Sequence, residues 1–289
     1  MRADRPSLTA SLVAAVRALY NELPAPYNLA PDPYAAELVP RWLALPAHAA
    51  GLAPWAAPAV HRLGGALSFG LTYNVALRTR AIDDALREAV GRGATQLVLL
   101  GAGLDSRAYR LDELSSARVF EVDYPSTHRY KAERIARLGG RREREVTRVA
   151  IDFERDRLGD VLGDAGFEAS ALSFWIWEGV TVYLTPETIA ATLGAVGDLS
   201  APGSRLAVTY TQPGTRRGPA WIESVAPLLG ALVSEPLRGM LEARAMAALL
   251  DAAGFSLLSD ENAASWAARY WPGETHATEW ERLAVAERR

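Results

Sequence analysis

Four short apolar runs in this chain each end in a residue that can hold a ligand. Gln96–Leu100 runs into Gly101-Ala102-Gly103, and Arg118–Val122 runs into Asp123. Val146–Ile151 runs into Asp152-Phe153, and Leu172–Trp177 runs into Glu178-Gly179. An apolar run ending in Gly-x-Gly makes a tight turn at which backbone N–H groups can approach a ligand closely. Taken alone, it is equally an ordinary strand-to-helix turn. Asp123 follows Gly103 by twenty residues, where a carboxylate can accept both hydroxyls of a ribose. A strand-end cap or salt bridge is the competing role, and Glu121, with the same facing, is a weaker ribose candidate. Asp152-Phe153 suits an adenine, the carboxylate or amide edge reading the exocyclic nitrogen and Phe153 supplying a ring contact. For Asp152 a helix cap is the alternative. A nicotinamide dinucleotide is disfavoured, because Ser106 stands where that fingerprint wants glycine or alanine. The turn also lies about a hundred residues into the chain.

Elements must bring these residues to one place. The runs just named, with Arg205–Tyr210, read as strands, and Phe255–Ser259 and Glu281–Ala286 as late strands. Between them, Pro125–Leu138 and Pro186–Leu199 read as helices, with Pro125 in a first turn and Thr185 as N-cap. Ala243–Ala253 reads as a helix closed by Gly254. Strands alternating with helices imply a mostly parallel, doubly wound α/β sheet. Ligands bind such sheets beyond the C-terminal strand ends, so Gly101, Asp123, Asp152 and Glu178 should line one rim. Upstream, Ser11–Leu23 has a helical period, a Pro-rich loop follows, and a short helix starts at Tyr34. Pro46–Pro58 reads as irregular, and Trp55–Val90 as one or two helices with a break at Gly64-Gly65. Residues 1–92 are therefore expected to form a helical cap and lid. Residues 93–289 are expected to form the core, with a substrate-side insertion around 211–242.

The 289 residues carry a formal charge of −3 and no cysteine. The first figure argues against a general nucleic-acid binder, which needs a concentrated basic face. The second excludes disulfides, thiolate metal sites and cysteine nucleophiles. The first twelve residues are too polar for a signal-peptide core, and no run reaches the ~18 apolar residues of a membrane span. A soluble, cytoplasmic protein without nucleic-acid or membrane partners is expected, with homo-oligomerisation left open.

Longer motifs narrow the reading. Ala76-Leu77-Arg78-Thr79-Arg80-Ala81-Ile82-Asp83-Asp84, the stretch from Leu99 to Leu111, Phe120-Glu121-Val122-Asp123-Tyr124-Pro125 and Trp177-Glu178-Gly179-Val180-Thr181-Val182-Tyr183 closely resemble the leucine carboxyl methyltransferase-like family. Asp32-Pro33-Tyr34-Ala35 does so too. The resemblance implies a seven-stranded, Rossmann-like sheet with an antiparallel last strand and an N-terminal helical cap. It implies S-adenosyl-L-methionine as cofactor, S-adenosyl-L-homocysteine as product, no metal, and methylation of oxygen, commonly a carboxylate. Carried over by motif, Arg78 would hold the methionine carboxylate, with Gly101 and Gly103 against the cofactor. Asp123 would bind the ribose, Asp152 and Phe153 would border the adenine, and Glu178 would complete the pocket near the methionine amino group. Pro31 departs from the lysine that eukaryotic, phosphatase-directed members carry there. That is consistent with the bacterial branch, some of whose members act on polyketide-like natural products.

The remaining residues are weighed against this chemistry. A carboxylate acceptor of pKa ~4 is already ionised and needs only placement and desolvation. A phenol of pKa ~10 would want a base, for which Tyr183 and His61 are the near candidates. His48, His61, His128 and His276 have no ligand spacing and read as surface or packing residues. Arg80 points about 200° away from Arg78 on a helix, so it is expected to pair with Asp83 or Asp84. Lys131 and Arg134 read as a solvated helix face. Trp42, Trp55, Trp221, Trp266 and Trp271 read as core packing or as lid residues over a flat, apolar substrate. A non-catalytic cofactor-binding protein is the alternative of a different class.

Overall fold

The computed structural model describes residues 7–138, 146–152, 155–213, 238–274 and 279–289. Its centre is a seven-stranded sheet of β1 (Gln96–Leu100), β2 (Arg118–Asp123), β3 (Val146–Ala150), β4 (Ser173–Trp177), β5 (Arg205–Thr211), β6 (Phe255–Asn262) and β7 (Glu281–Arg288). The strand order is β3-β2-β1-β4-β5-β7-β6. The first five strands pair in parallel, and β7 runs antiparallel between β5 and β6. The order reverses between β1 and β4, which is where such a sheet opens a crevice.

Both faces of the sheet are covered, and the strand period of two sorts the side chains. Leu97, Leu99, Phe174 and Ile176 join one buried cluster; Val98, Leu100, Trp175 and Trp177 join the other. The first is capped by α5 (Leu71–Gly91), through Leu77, Ile82 and Leu86, and by Trp266. The second is filled by Leu162, Leu193, Met246 and Leu250 from the crossover helices. Burial of about 25 cal/mol per Å² of apolar surface explains why neither face needs a disulfide or metal.

The cap contains α1 (Leu8–Glu22), α2 (Ala35–Leu38), α3 (Arg41–Gly51) and α4 (Ala57–Leu67). It is not a detachable cover: Tyr20 and Leu23 sit in the same cluster as Leu77 and Leu97. Helix α5 packs on the sheet itself, so the sheet layer begins inside the 1–92 segment assigned to the cap. Further on come α6 (Arg107–Arg110), α7 (Pro125–Arg137), α8 (Leu158–Asp164), α9 (Pro186–Asp198), α10 (Ala243–Ala252) and α11 (Ala263–Tyr270).

The sequence-based elements hold, with local differences. Pro46 lies inside α3 rather than in an irregular stretch; Ala44, Ala47 and Ala50 bury one face of that helix and offset the lost hydrogen bond. The Gly64-Gly65 pair does not break α4. Gly65 lies against the ring of Tyr73, which a Cβ there would strike at 2.2 Å from Cζ. The break falls at Phe69-Gly70, both with positive φ. Helix α11 was not expected from the sequence, and β6 and β7 run longer than predicted, because each is held along its length by its neighbour. Thr185 caps α9 by accepting from the Thr188 N–H at 3.3 Å. Gly254 closes α10 at φ +81°, as expected. Part of the expected insertion around 211–242 lies outside the described residues, as do Trp221 and His276. Among the described residues no helix is long and apolar enough to cross a membrane.

Candidate functional site

The turn after β1 is built by two glycines in the left-handed region, Gly101 at φ +68° and Gly103 at φ +48°. Their backbone folds the chain back over the strand ends, with Gly101 N–H donating to Val122 O at 2.8 Å. A Cβ on Gly101 would approach Val180 Cγ2 to 2.5 Å, so this position is closed to larger residues on steric grounds as well. Asp123, half-buried at the end of β2, accepts from Gly103 N–H at 2.5 Å and from Tyr124 N–H at 2.6 Å. The sequence-predicted ribose residue and the glycine turn are therefore in direct contact. Glu178 follows β4, the neighbour of β1, and Gly179 beside it has φ +70° and open space where a Cβ would stand.

Beside this rim lies a buried ionic network. Arg78, from α5, donates from Nε to Glu178 Oε1 at 2.8 Å and from Nη1 to Glu281 Oε1 at 2.5 Å. Asn74, one helical turn earlier, also donates to Glu281. Arg107 Nη1 donates to Glu178 Oε2 at 2.6 Å and to Asp105 Oδ2 at 2.5 Å, while its Nε donates to Asp83 at 2.8 Å. Arg110 closes the chain on Asp83 at 2.7 Å. Among the described residues, three guanidinium groups thus share four carboxylates, one carboxylate in excess. Burial opposes ionisation of Glu178, but the guanidinium groups of Arg107 and then Arg78 overcome it and hold this carboxyl well below the usual range. Asp105 is held down against the same burial by Arg107 and Arg17. Arg78, fully enclosed, keeps its charge because Glu281 and Glu178 outweigh its desolvation.

The sequence reading singled out Arg78 and Glu178, and the structure brings them together. It passed over Glu281, which lies 203 residues from Arg78. Its only signal is an acidic residue opening a strand with an apolar centre, Leu283–Ala286. Asp105, Arg107 and Arg110 enter the sequence reading only within motifs, and Asp83, an alternative partner for Arg80, is instead buried against Arg107 and Arg110. Arg80 lies on the outer side of α5 and pairs with Asp84 at 2.9 Å, as the helical angle implies.

Other candidates land elsewhere. Glu121 is buried and bound to Lys131 Nζ at 2.6 Å, so it does not face a ribose. Lys131 is 1% exposed, which corrects the solvated face expected for it. A cation inside the fold must have a partner, and Glu121 is that partner. Arg134 is likewise engaged, donating to the carbonyls of Glu37 and Val39 at 3.0 Å. Asp152 stands after β3, within 3.8 Å of Arg155, and its N–H donates to Asp156; Phe153 lies outside the described residues. Tyr183 follows β4 in a single 3₁₀ turn, its hydroxyl donating to Thr9 Oγ1 of the cap at 3.3 Å. His61 is enclosed, its Nδ1 3.1 Å from Tyr20 Oη and its Nε2 3.4 Å from Glu274. His128 packs with Nε2 3.0 Å from Val149 O. Trp266 and Trp271 are buried core residues, whereas Trp42 and Trp55 stand exposed on the cap.

Comparison with known proteins gives the family and the fold. The model of the family described as leucine carboxyl methyltransferase matches residues 10–197, a stretch that runs from α1 to the end of α9 and includes the glycine turn, Asp123 and Glu178. The chain belongs to the leucine carboxyl methyltransferase family. Two relatives named "Putative S-adenosyl-L-methionine-dependent methyltransferase" extend the match. One, from Mycobacterium avium, is 38% identical over 70% of this chain and 65% of its own length. The other, from Mycolicibacterium smegmatis, is 40% identical over 70% of this chain and 64% of its own. The chain thus spans less than two thirds of these curated relatives. Among solved structures, a "putative methyltransferase" from Thermobifida fusca shares the fold of this family member over 99% of this chain and 96% of that one. Its TM-score is 0.61 at 15% identity. A DUF574 family protein from Streptomyces avermitilis does so over 98% of both, with a TM-score of 0.59 at 16% identity.

Proposed function

We propose that this family member is an S-adenosyl-L-methionine-dependent O-methyltransferase that converts a carboxylate of a small, polyketide-like natural product into its methyl ester. The observation that carries this reading is the buried network beside the Gly101–Gly103 turn, with its one carboxylate in excess. S-adenosylmethionine bears a sulfonium and an ammonium against a single carboxylate, a net cation that such an excess balances. The residues fit the group in other respects: an acidic side chain on the glycine turn at Asp123, and open space over Gly179. In this reading Asp123 holds the ribose, Asp152 and Phe153 border the adenine, and Glu178 faces the methionine amino group. Gly101 and Gly103 allow close backbone approach, and Arg78 is the guanidinium for the methionine carboxylate.

When bound, the cofactor supplies an electrophilic methyl group on sulfur. The chain's own residues bind, orient and exclude water. An ionised carboxylate acceptor needs no proton removed, and the two groups named as bases for a phenol are held in other contacts. Both ring nitrogens of His61 face partners, and the Tyr183 hydroxyl donates to Thr9. Burial also pushes the Tyr20 phenol above its ordinary range, so Tyr20 stays protonated beside His61 Nδ1. The small-molecule acceptor is supported by Pro31 in place of the lysine of phosphatase-directed members.

The test is to incubate the protein with methyl-labelled S-adenosylmethionine and carboxylate- and phenol-bearing polyketides, following S-adenosylhomocysteine release. A methyl ester is cleaved by alkali and an aryl ether is not. An alkali-stable product overturns the carboxylate. Cofactor binding without turnover on any acceptor points to the non-catalytic alternative, and heat of binding with NAD instead overturns the cofactor.

A further inference from the structure

Asp32 is buried, 1% exposed, yet it bridges two elements that are far apart in the chain. Its Oδ2 accepts from Arg17 Nε at 3.0 Å and from Ser106 Oγ at 2.6 Å. Its other oxygen accepts from Tyr34 N–H at 3.3 Å, and its own N–H donates to Asn21 Oδ1 at 2.9 Å. Arg17, on α1, has a second grip: Nη2 donates to the carbonyl of Leu104 at 2.6 Å. Leu104 and Ser106 belong to the loop that begins at Gly101. That loop also meets α1 directly, since a Cβ on Gly103 would lie 3.6 Å from Ala10 Cβ.

Neutralising a buried guanidinium needs only Asp32. The bond to Leu104 O does something else. A turn with two left-handed glycines has wide backbone freedom, which must be removed before its N–H groups can present a fixed surface. Arg17 and Ser106 pin that turn at two points to one carboxylate, and Asp123 pins it at Gly103. We propose that Arg17 is a positioning residue. With Asp32 and Ser106 it ties α1 of the cap to the glycine turn, so that docking of the cap sets the affinity for S-adenosylmethionine. Arg17 also holds the carboxyls of Asp105 and Glu178 low through its charge, consistent with a position beside the network. This inference rests on the cofactor reading above.

The test measures the Kd of S-adenosylhomocysteine by calorimetry, and the melting temperature, for wild type, Arg17→Met, Arg17→Lys, Ser106→Ala and the control Arg118→Ala. Arg118 opens β2 at the opposite end of the strand and pairs with Glu168 on the surface. Arg17→Met is expected to weaken binding ten- to a hundredfold, with Arg17→Lys intermediate because an ammonium cannot reproduce the fork. Ser106→Ala is expected to weaken it several-fold, and Arg118→Ala to leave it unchanged. A purely structural role lowers the melting temperature and leaves the Kd of the folded variants as it was; that result overturns the inference while wild type still binds. If Arg17→Met does not fold, Ser106→Ala and Arg17→Lys decide in the same way. Wild type that fails to bind S-adenosylhomocysteine at all overturns the cofactor reading, and this inference with it.

Discussion

Asp123 and Arg78 carry the sharpest consequences of single side chains. Asp123 accepts two backbone N–H groups at the turn and, in the proposed reading, both ribose hydroxyls. Asp123→Ala removes charge-assisted hydrogen bonds of about 1.5–3 kcal/mol. Titration calorimetry with S-adenosylmethionine should therefore show an affinity loss on the order of ten- to a hundredfold. Arg78 and Arg80 form a matched pair for a second measurement. Arg78 is enclosed and forked between Glu178 and Glu281, whereas Arg80 is 38% exposed and pairs with Asp84 along the helix. Arg78→Lys loses the planar fork inside a buried network and should cost both cofactor affinity and stability. Arg80→Lys keeps an i,i+4 pair worth only about 0.3–0.5 kcal/mol but gives up the donation to Leu29 O at 3.1 Å, so it should cost a little stability and leave cofactor affinity unchanged. Equal effects at the two positions would mean that the fork at Arg78 has no special part in binding.

At the scale of the element, the turn after β1 is defined by conformation and by space. Gly101 has φ +68° and lies against Val180. Gly101→Ala is expected to lose stability through left-handed strain of about 1–2 kcal/mol, with the clash against Val180 Cγ2 in addition. Val180→Ala in the same chain removes the clash but not the strain. Urea denaturation of the double variant should therefore recover part of the loss and leave the strain behind. Full recovery would show that space alone fixes this glycine. The other helical features act more weakly: the Thr185 cap of α9 and the Gly254 stop of α10 each satisfy terminal backbone groups and were readable from residue type alone.

The whole molecule is held to its cap by a cluster that joins four regions. His61 of α4 stacks on Tyr73 of α5 at 4.4 Å and meets Trp271 edge-on at 4.8 Å, with Tyr20 of α1 at Nδ1 and Glu274 at Nε2. Tyr27 and Arg62 also face it. Burial pulls the His61 pKa below its ordinary value, more than Glu274 raises it. The unfolded chain then binds this proton more readily than the folded one, so stability rises with pH here. It should be complete above about 6.5, the unfolded value, and decline as pH falls toward the folded value. Glu178 and Asp105, whose pKa values are lowered, act at lower pH: their contribution is present above about 4.5 and is lost as pH falls further. Melting temperature against pH should show a first decline below about 6.5 that His61→Phe abolishes, and a second, acidic decline that it does not. A single acidic decline in wild type would remove His61 from this account.

The sequence by itself determined the parallel sheet and the rim. Strand and turn chemistry are local: Leu97–Leu100 before Gly101-Ala102-Gly103, and Arg118–Val122 before Asp123, need no tertiary knowledge to be read as strands ending on one edge. The alternation of strands with helices then fixes which edge. It also determined that Arg78 and Arg80 have different lives, because 3.6 residues per turn separates them on any α-helix. Only the tertiary structure decided what depends on long-range contact. Glu281 meets Arg78 across 203 residues, and a charge at a strand start does not say whose partner it is. Lys131 looked like a surface residue until β2 set Glu121 beneath it. Gly64-Gly65 looked like a helix break, but the ring of Tyr73 occupies the space that a side chain on Gly65 would fill. Asp32 could be quoted from its motif, but that its carboxylate joins Arg17 to Ser106 is set by the docking of the cap. Backbone propensity acts over a few residues, whereas burial forces a charge to find a partner wherever the fold brings one.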